Sequence, residues 1–262
     1  MKKFLSMMAL ATMTACALVS CGSDGSETLK PKTFTVDNNG MKVSFKMMPV
    51  QAGMFTMGAT DEQGSAQDNE KPSHLVNLSE DYYMGETEVT QELWEAVMGS
   101  NPSEFTGKNL PVEQVSWDDC QQFVMKLNAL TGEQFRLPTE AEWEFAARGG
   151  NKSKYYQFSG SNTIENVAWF IGNSSKTHPV KSKKSNELGI YDMSGNVWEW
   201  CQDWYGTYSG SSVTDPVGPT TGTDRLLRGG SWDAFAVDTR VASRVGVRPD
   251  RFFTDAGLRL AL

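Results

Sequence analysis

Apolar and polar side chains alternate weakly over residues 34–48, as they would in a pair of neighbouring strands. The run Pro49-Val50-Gln51-Ala52-Gly53-Met54-Phe55-Thr56-Met57-Gly58 has a period of two between glycines and predicts a further strand. Residues 61–73 are acidic and polar, a loop, and residues 74–78 alternate again. The period then lengthens and three helices follow. Thr90 is a capping residue before Leu93, Trp94 and Val97, and Gly99 stops that helix. Ser116 opens a second, with Phe123, Val124, Leu127 and Leu130 on one face and Gly132 beyond its end. Thr139, with Glu142 three residues on, makes a capping box for a third, which buries Trp143, Ala146 and Ala147 and ends at Gly149-Gly150. Past residue 150 regular pattern is scarce and only short strands are expected. Trp169, Trp198, Trp200, Trp204 and Trp232 are nevertheless too many large rings for an unfolded tail, so this half is expected to be ordered but irregular. No repeat or linker interrupts residues 34–262, which form one domain.

The first residues follow a different pattern. Lys2 and Lys3 precede an apolar run over 4–19, too short to span a bilayer, and the run ends in Leu18-Val19-Ser20-Cys21-Gly22. This resembles a bacterial lipoprotein signal. Residues 1–20 are then a signal peptide, Cys21 carries the lipid, and 21–33, rich in Gly, Ser and Asp, is a flexible tether. An ordinary secretory signal with an incidental cysteine is the alternative; Leu-x-Ser-Cys-Gly at the expected cut favours the lipid. Acyl chains hold a protein to a membrane with about 0.8 kcal/mol per buried methylene. Asp24 and Glu27 resemble the acidic export signals of some surface lipoproteins, which places the chain at the outer membrane, facing outward. A net charge of -8 excludes a nucleic-acid partner, and Lys181-Ser182-Lys183-Lys184 is too short to reverse that. Cys120 and Cys201 could pair in an oxidising envelope or stand as two separate buried thiols; both readings are open. No Cys-x-x-Cys supports zinc.

Six motifs occur in one order: Pro49-Val50-x-Ala52-Gly53-x-Phe55-x-Met57-Gly58, Glu88-Val89-Thr90, Pro111-Val112-x-x-Val115-Ser116-Trp117, Arg136-Leu137-Pro138-Thr139-Glu140-Ala141-Glu142-Trp143-Glu144, Gly195-Asn196-Val197-Trp198-Glu199-Trp200 and Gly229-Gly230-Ser231-Trp232. Together they resemble the formylglycine-generating enzyme (sulfatase-modifying factor) family, from about residue 45 to 260. The resemblance implies an irregular α+β domain related to C-type lectin folds, with little regular secondary structure. Enzymes of that family oxidise a substrate cysteine with two cysteines that hold copper. The corresponding positions here are Ala234 and Thr239, and residues 233–256 contain no Cys, Met or His to supply a soft ligand, so no copper is expected. Another branch holds iron with several histidines; this chain has only His74 and His178.

A further branch fits better. The variable proteins of diversity-generating retroelements share this fold and vary between Gly-Gly-Ser-Trp and Gly-(Phe/Leu)-Arg-Leu. Here those motifs are Gly229-Gly230-Ser231-Trp232 and Gly257-Leu258-Arg259-Leu260, enclosing 233–256. Diversified AAY codons become NNY, which cannot encode Lys, Glu, Gln, Met or Trp. All five are missing from 233–256, by this mechanism or by chance. Arg240, Arg244, Pro249 and Asp250 look like retained scaffold. The rest mixes aromatic and arginine side chains, the usual composition of binding hot spots. The candidate ligand-binding residues are Asp233, Phe235, Asp238, Val245, Val247, Arg248, Arg251, Phe252, Phe253, Thr254 and Asp255. The phenylalanines could instead be core, but Phe252-Phe253-Thr254-Asp255 follows neither period, so exposure is expected.

The resemblance also implies a structural calcium site, with the side chains of Asp192 and Glu199 and the carbonyls of Gly195 and Val197 as ligands; hard oxygen donors on an irregular loop suit that ion. A hydrogen-bonded turn without an ion is the alternative. Asn166 and Val167 resemble part of a second site. Glu140, Glu142 and Glu144 sit at a helix start, a structural arrangement, and Ser231 has no neighbouring base to activate it. The expected function is ligand binding without catalysis, by a surface-anchored lipoprotein whose partner is a protein or a glycan. The alternatives are an oxidoreductase of the formylglycine-generating type and a structural or motility-associated envelope lipoprotein.

Overall fold

The computed structural model describes residues 29–38 and 40–262; the expected signal peptide, Cys21 and most of the expected tether lie outside the described residues. The alternation at the start of the domain forms β1 (Lys32–Asn38) and β2 (Met41–Val50), paired antiparallel. The expected tether ends sooner than 33, because Lys32 and Thr33 are already in register with Met47 and Lys46. A third strand, β5 (Tyr82–Gly85), joins β2 and was not foreseen. Its four residues are all buried, so no alternation marks it.

The next two alternating stretches are β3 (Gly53–Met57) and β4 (His74–Leu78), an antiparallel pair to which β7 (Val213–Thr214) adds in parallel. The polar stretch between β3 and β4 contains two short 3-10 turns, Asp61–Gln63 and Asp68–Glu70, which bury Gln63 and Glu70. The third sheet has the order β10-β6-β8-β9, from β6 (Trp198–Trp204), β8 (Arg225–Arg228), β9 (Arg244–Val247) and β10 (Ala256–Leu258).

The helices are α1 (Gln91–Met98), α2 (Trp117–Thr131) and α3 (Glu140–Ala147). Thr90, Ser116 and Thr139 each accept a backbone N–H from the third residue on, satisfying a donor that the helix leaves open. Gly99 and Gly132 end α1 and α2 in the left-handed region, at φ 84° and 75°. Leu130, expected on the buried face of α2, is exposed: it lies in the last turn, beyond the reach of the core.

β6 separates two apolar cores. Trp200 belongs to one, where α1 and α2 pack on β1, β2 and β10 and Trp94 stacks on Phe123 at 4.9 Å. Cys201, on the opposite face of the strand, belongs to the other, built around Trp143 and Phe145 of α3. Cys120 lies in the first core, so the two cysteines are separate buried thiols, and burial pushes both well above the usual thiol range. Of the five late tryptophans only Trp200 is fully buried. The partly exposed rings carry cations: Arg225 lies over Trp204 at 3.5 Å and Lys183 over Trp169 at 3.8 Å. No described helix is long and apolar enough to cross a membrane.

Candidate binding surface

The turn that leaves β8 is made by Gly229 and Gly230, at φ 95° and 74°. A Cβ on Gly230 would lie 2.8 Å from the Asp238 carbonyl oxygen and 2.7 Å from Thr239 Cγ2, so only glycine lets the chain fold back on itself here. The two ends of the 233–256 segment are then tied together. Ser231 Oγ donates to Asp255 Oδ2 at 2.7 Å, and Trp232 Nε1 donates to the Thr254 carbonyl at 3.3 Å. Trp198 N on β6 donates to the Asp255 carbonyl at 2.8 Å, and Trp232 N to the Asn196 carbonyl at 2.8 Å.

The middle of the segment is not displayed. Thr239, Arg240, Val241, Ala242, Ser243 and Arg244 are all buried. Arg240 makes a bidentate pair with Glu70 at 2.8 and 2.5 Å and donates from Nε to the Val237 carbonyl at 2.8 Å. Arg244 makes another with Glu140, at 2.6 and 2.7 Å. Arg228 pairs with Glu144 and donates to the carbonyls of Val241, Ala242 and Ser243 at 2.9, 2.9 and 2.7 Å. Three guanidiniums therefore hold the backbone of 240–244 down, and two flanks, 233–238 and 248–255, rise from it.

The flanks carry the aromatic side chains. Phe235, Phe252 and Phe253 are 64%, 59% and 41% exposed. Asp233, Arg248, Arg251 and Thr254 are exposed beside them, with Arg248 in a solvent-facing pair with Asp250 at 3.0 Å. Asp238 is half-buried and accepts from Gln67 Nε2 at 3.0 Å; Asp255 is half-buried against Ser231. Val245 and Val247 do not belong to the displayed set. They lie on β9, in register with Leu227 and Arg225 of β8, and pack against the first core.

Several contributors have no signal in the segment itself. Phe105 sets its ring edge-on to Trp232, 5.6 Å between centroids. Gln114 N donates to the Phe253 carbonyl at 2.8 Å, fixing the second flank. Glu113, one residue away, is buried, accepts from Phe105 N at 2.9 Å, and is pushed up to about 7 by that burial. These residues come from the irregular stretch between α1 and α2, where no periodicity marks them. Ala234 and Thr239, at the positions of the copper-holding cysteines, are buried, and Thr239 Oγ1 donates to the Ala236 carbonyl at 3.0 Å.

The loop expected to hold calcium contains three left-handed residues, Asp192, Gly195 and Asn196, at φ 58°, 78° and 65°. Its carboxylates are only partly available. Glu199 accepts Arg259 Nε and Nη2 at 2.9 and 2.6 Å and Trp143 Nε1 at 2.6 Å, so it is committed to Arg259 rather than open to an ion. Asp192 accepts Lys181 N at 2.7 Å. Glu88, missed in the sequence, joins them: Asn196 Nδ2 and Val197 N donate to it at 3.0 and 3.3 Å. Three carboxylates thus face one guanidinium. Burial, then repulsion from Asp192 and Glu199, pushes Glu88 well above the usual carboxylate range; burial pushes Asp192 to about 6. Among the described residues no three His, Cys, Asp or Glu side chains meet in metal-binding geometry. Asn166 is exposed and Val167 buried at the end of the 3-10 turn Ile164–Asn166, and the Asn166 carbonyl accepts Lys184 N at 3.0 Å.

Comparison with known proteins agrees with this architecture. The Chaperone protein LppX of Paenibacillus barcinonensis is 32% identical over 88% of this chain and 89% of its own length. The formylglycine-generating enzyme of Streptomyces coelicolor is 38% identical over 61% of this chain and 55% of its own. Among solved structures, Treponema denticola variable protein 1 superimposes with a TM-score of 0.77 at 38% identity, covering 89% of this chain and 99% of that one. Residues 35–262 match the sulfatase-modifying factor enzyme 1-like domain, so the chain belongs to that family and has its α+β fold.

Proposed function

We propose that this chain is a surface-anchored lipoprotein that binds a protein or glycan ligand through residues 233–238 and 248–255, without turnover. The observation that carries the reading is the contrast within one segment: its middle is pinned by buried arginines while Phe235, Phe252 and Phe253 stand exposed. Exposed apolar area is unfavourable by about 25 cal/mol per Å² until something covers it, so three such rings on a fixed base suit a partner. The similarity to a variable protein supports a diversified 233–256 segment. Anchoring through Cys21 at the outer membrane belongs to the same reading; incorporation of an alkyne-labelled fatty acid, lost in Cys21→Ser, checks it.

The test of binding is a glycan array and a displayed protein library, probed with the chain and with Phe235→Ala/Phe252→Ala/Phe253→Ala. Hits that vanish with the triple variant while its melting temperature is unchanged support the surface. Hits that survive it sink the proposal. An oxidoreductase would consume oxygen with a cysteine peptide and copper; Ala234 and Thr239 offer no thiolate for that chemistry.

Calcium is a proposal for the loop after Tyr191. Asp192, with Glu88 beside it and the carbonyls of Gly195 and Val197, would hold the ion, Glu199 being given to Arg259. Buried carboxyl groups whose ionised forms repel one another support this, since a cation would relieve the repulsion. Calcium against chelator in differential scanning fluorimetry decides it: a melting temperature that does not move removes the ion.

A further inference from the structure

Away from the displayed flanks, a cavity of about 420 Å³ opens between the β3–β4 pair, the start of α3 and the loop that follows β6. That volume suits a small organic molecule. Its mouth is apolar, from Val213, Pro216, Val217 and Pro219, and Met57 and Trp204 continue the apolar wall inward.

The floor is polar, and most of it is already satisfied. Both Glu140 oxygens are taken by Arg244, and Tyr208 Oη also donates to Oε1 at 3.0 Å. Two groups are left over. Asp203, 4% exposed, accepts Glu140 N on Oδ2 at 3.0 Å, and among the described residues nothing donates to its Oδ1. His74, 8% exposed, has a buried Nδ1 with no partner. Unpartnered polar atoms on side chains this buried are rare, and Asp203 lines the cavity with one oxygen free of any donor.

The electrostatics favour one sign of ligand. Glu140 and Glu142 of α3 face Asp203 and repel its charge. Arg244 on β9, Arg225 on β8 and Arg136 act on it only through space, and none donates to it. His74 on β4 and Tyr208 complete the surroundings. Burial first, then Glu140, pushes Asp203 up to about 8. Near neutral pH the Asp203 carboxyl therefore keeps a proton and is neutral, because no cationic side chain contacts it to balance the ionised form.

We propose that this cavity binds a small organic ammonium, with its charged head on Asp203 and its apolar body against Met57, Trp204 and Val217. The ammonium replaces the carboxyl proton and donates to Asp203 Oδ1. The site is separate from the displayed flanks 233–238 and 248–255 and shares only the buried Arg244 with that segment.

The probe is benzylammonium, titrated into the full chain by calorimetry, with benzyl alcohol and benzoate as neutral and anionic controls. Benzylammonium binds at least tenfold tighter than either control. Its affinity rises by about fivefold or more between pH 6.5 and 8.5, as the carboxyl ionises, and binding releases a proton. Asp203→Asn, which keeps an acceptor for Glu140 N, loses about tenfold and the pH dependence. Val217→Arg, at a position 66% exposed and so tolerant of change, blocks the mouth and loses as much. Equal binding of benzyl alcohol, unchanged binding by Asp203→Asn at an unchanged melting temperature, full binding by Val217→Arg, or no heat from benzylammonium overturns the proposal.

Discussion

Arg240→Met isolates what holds the displayed segment in place. Arg240 and Glu70 are 1% and 0% exposed by side chain, and two short bonds join them. Methionine fills most of the space of the arginine stem, so the change removes charge and hydrogen bonds with little cavity. What it leaves is a buried carboxylate without a counter-ion. Breaking a buried pair from one side costs about 3–5 kcal/mol. With a urea slope of roughly 2–3 kcal/mol/M for a chain of this size, the unfolding midpoint falls by about 1–2 M. The partner experiment is Glu70→Met/Arg240→Met. Replacing both ions by apolar groups of similar volume is neutral or stabilising by about 1–4 kcal/mol in other buried pairs, so the double variant recovers most of the loss.

The readout is equilibrium denaturation followed by far-ultraviolet circular dichroism. Hydrogen exchange adds a local check: Val241 N donates to the Gln157 carbonyl at 3.1 Å and stays protected in the wild type. In Arg240→Met that protection drops more than the global stability does, because 236–243 is released first. A loss below about 1 kcal/mol, or a double variant as unstable as the single one, refutes the claim that a buried charge pair anchors this segment.

Three other outcomes follow from the same geometry. Phe252→Ala, at an exposed position, changes unfolding stability by less than about 0.5 kcal/mol while weakening ligand binding; a loss of several kcal/mol in a melt would mean that the ring is core. Gly230→Ala forces a Cβ toward Asp238 and Thr239 at positive φ and lowers stability by about 1–3 kcal/mol, read from the melting midpoint, whereas an unchanged midpoint would show that the turn is slack. Asp203, pushed up to about 8, keeps in the folded chain a proton that the unfolded chain releases near pH 4. Its contribution is fully present at low pH and is lost as pH rises through about 8, so Asp203→Asn is favoured over wild type progressively toward alkaline pH; a difference in melting temperature that does not vary with pH contradicts the assignment.

The helices were legible because their signals are local. Thr90, Ser116 and Thr139 cap helices whose hydrogen-bond partners lie three residues away, and the glycines after α1 and α2 mark their stops directly. The displayed segment was legible only at its borders. Its division into flanks and a pinned middle depends on Glu70 and Glu140, which are 170 and 104 residues from Arg240 and Arg244. No window along the chain contains both partners. Val245 and Val247 show a different failure. Arg244-Val245-Gly246-Val247 is the fourth strand of a sheet whose nearest partner begins at Arg225, and treating 233–256 as one block concealed it. Glu199 shows a third. Its motif was recognised, but Arg259, 60 residues later, takes both its oxygens.

These failures share a cause that also explains how the surface can be built. Arg228, Arg240, Arg244 and Arg259 all come from the last 35 residues, and each is at most 4% exposed. Each pairs with a glutamate from earlier in the chain: Glu144, Glu70, Glu140 and Glu199 respectively. Arg240, Arg244 and Arg259 each grip their carboxylate through two bonds, and Arg228 adds three backbone carbonyls to its single carboxylate bond, so orientation is fixed as well as position. Apolar contacts alone would let the segment slide, because they have no preferred direction. The arginines therefore define where the backbone of 240–244 and 257–260 lies without using any side chain of the flanks. Residues such as Phe235 and Phe252 contribute little to that framework. Their identity can change while the anchors stay, which is what a surface open to diversification requires of its base.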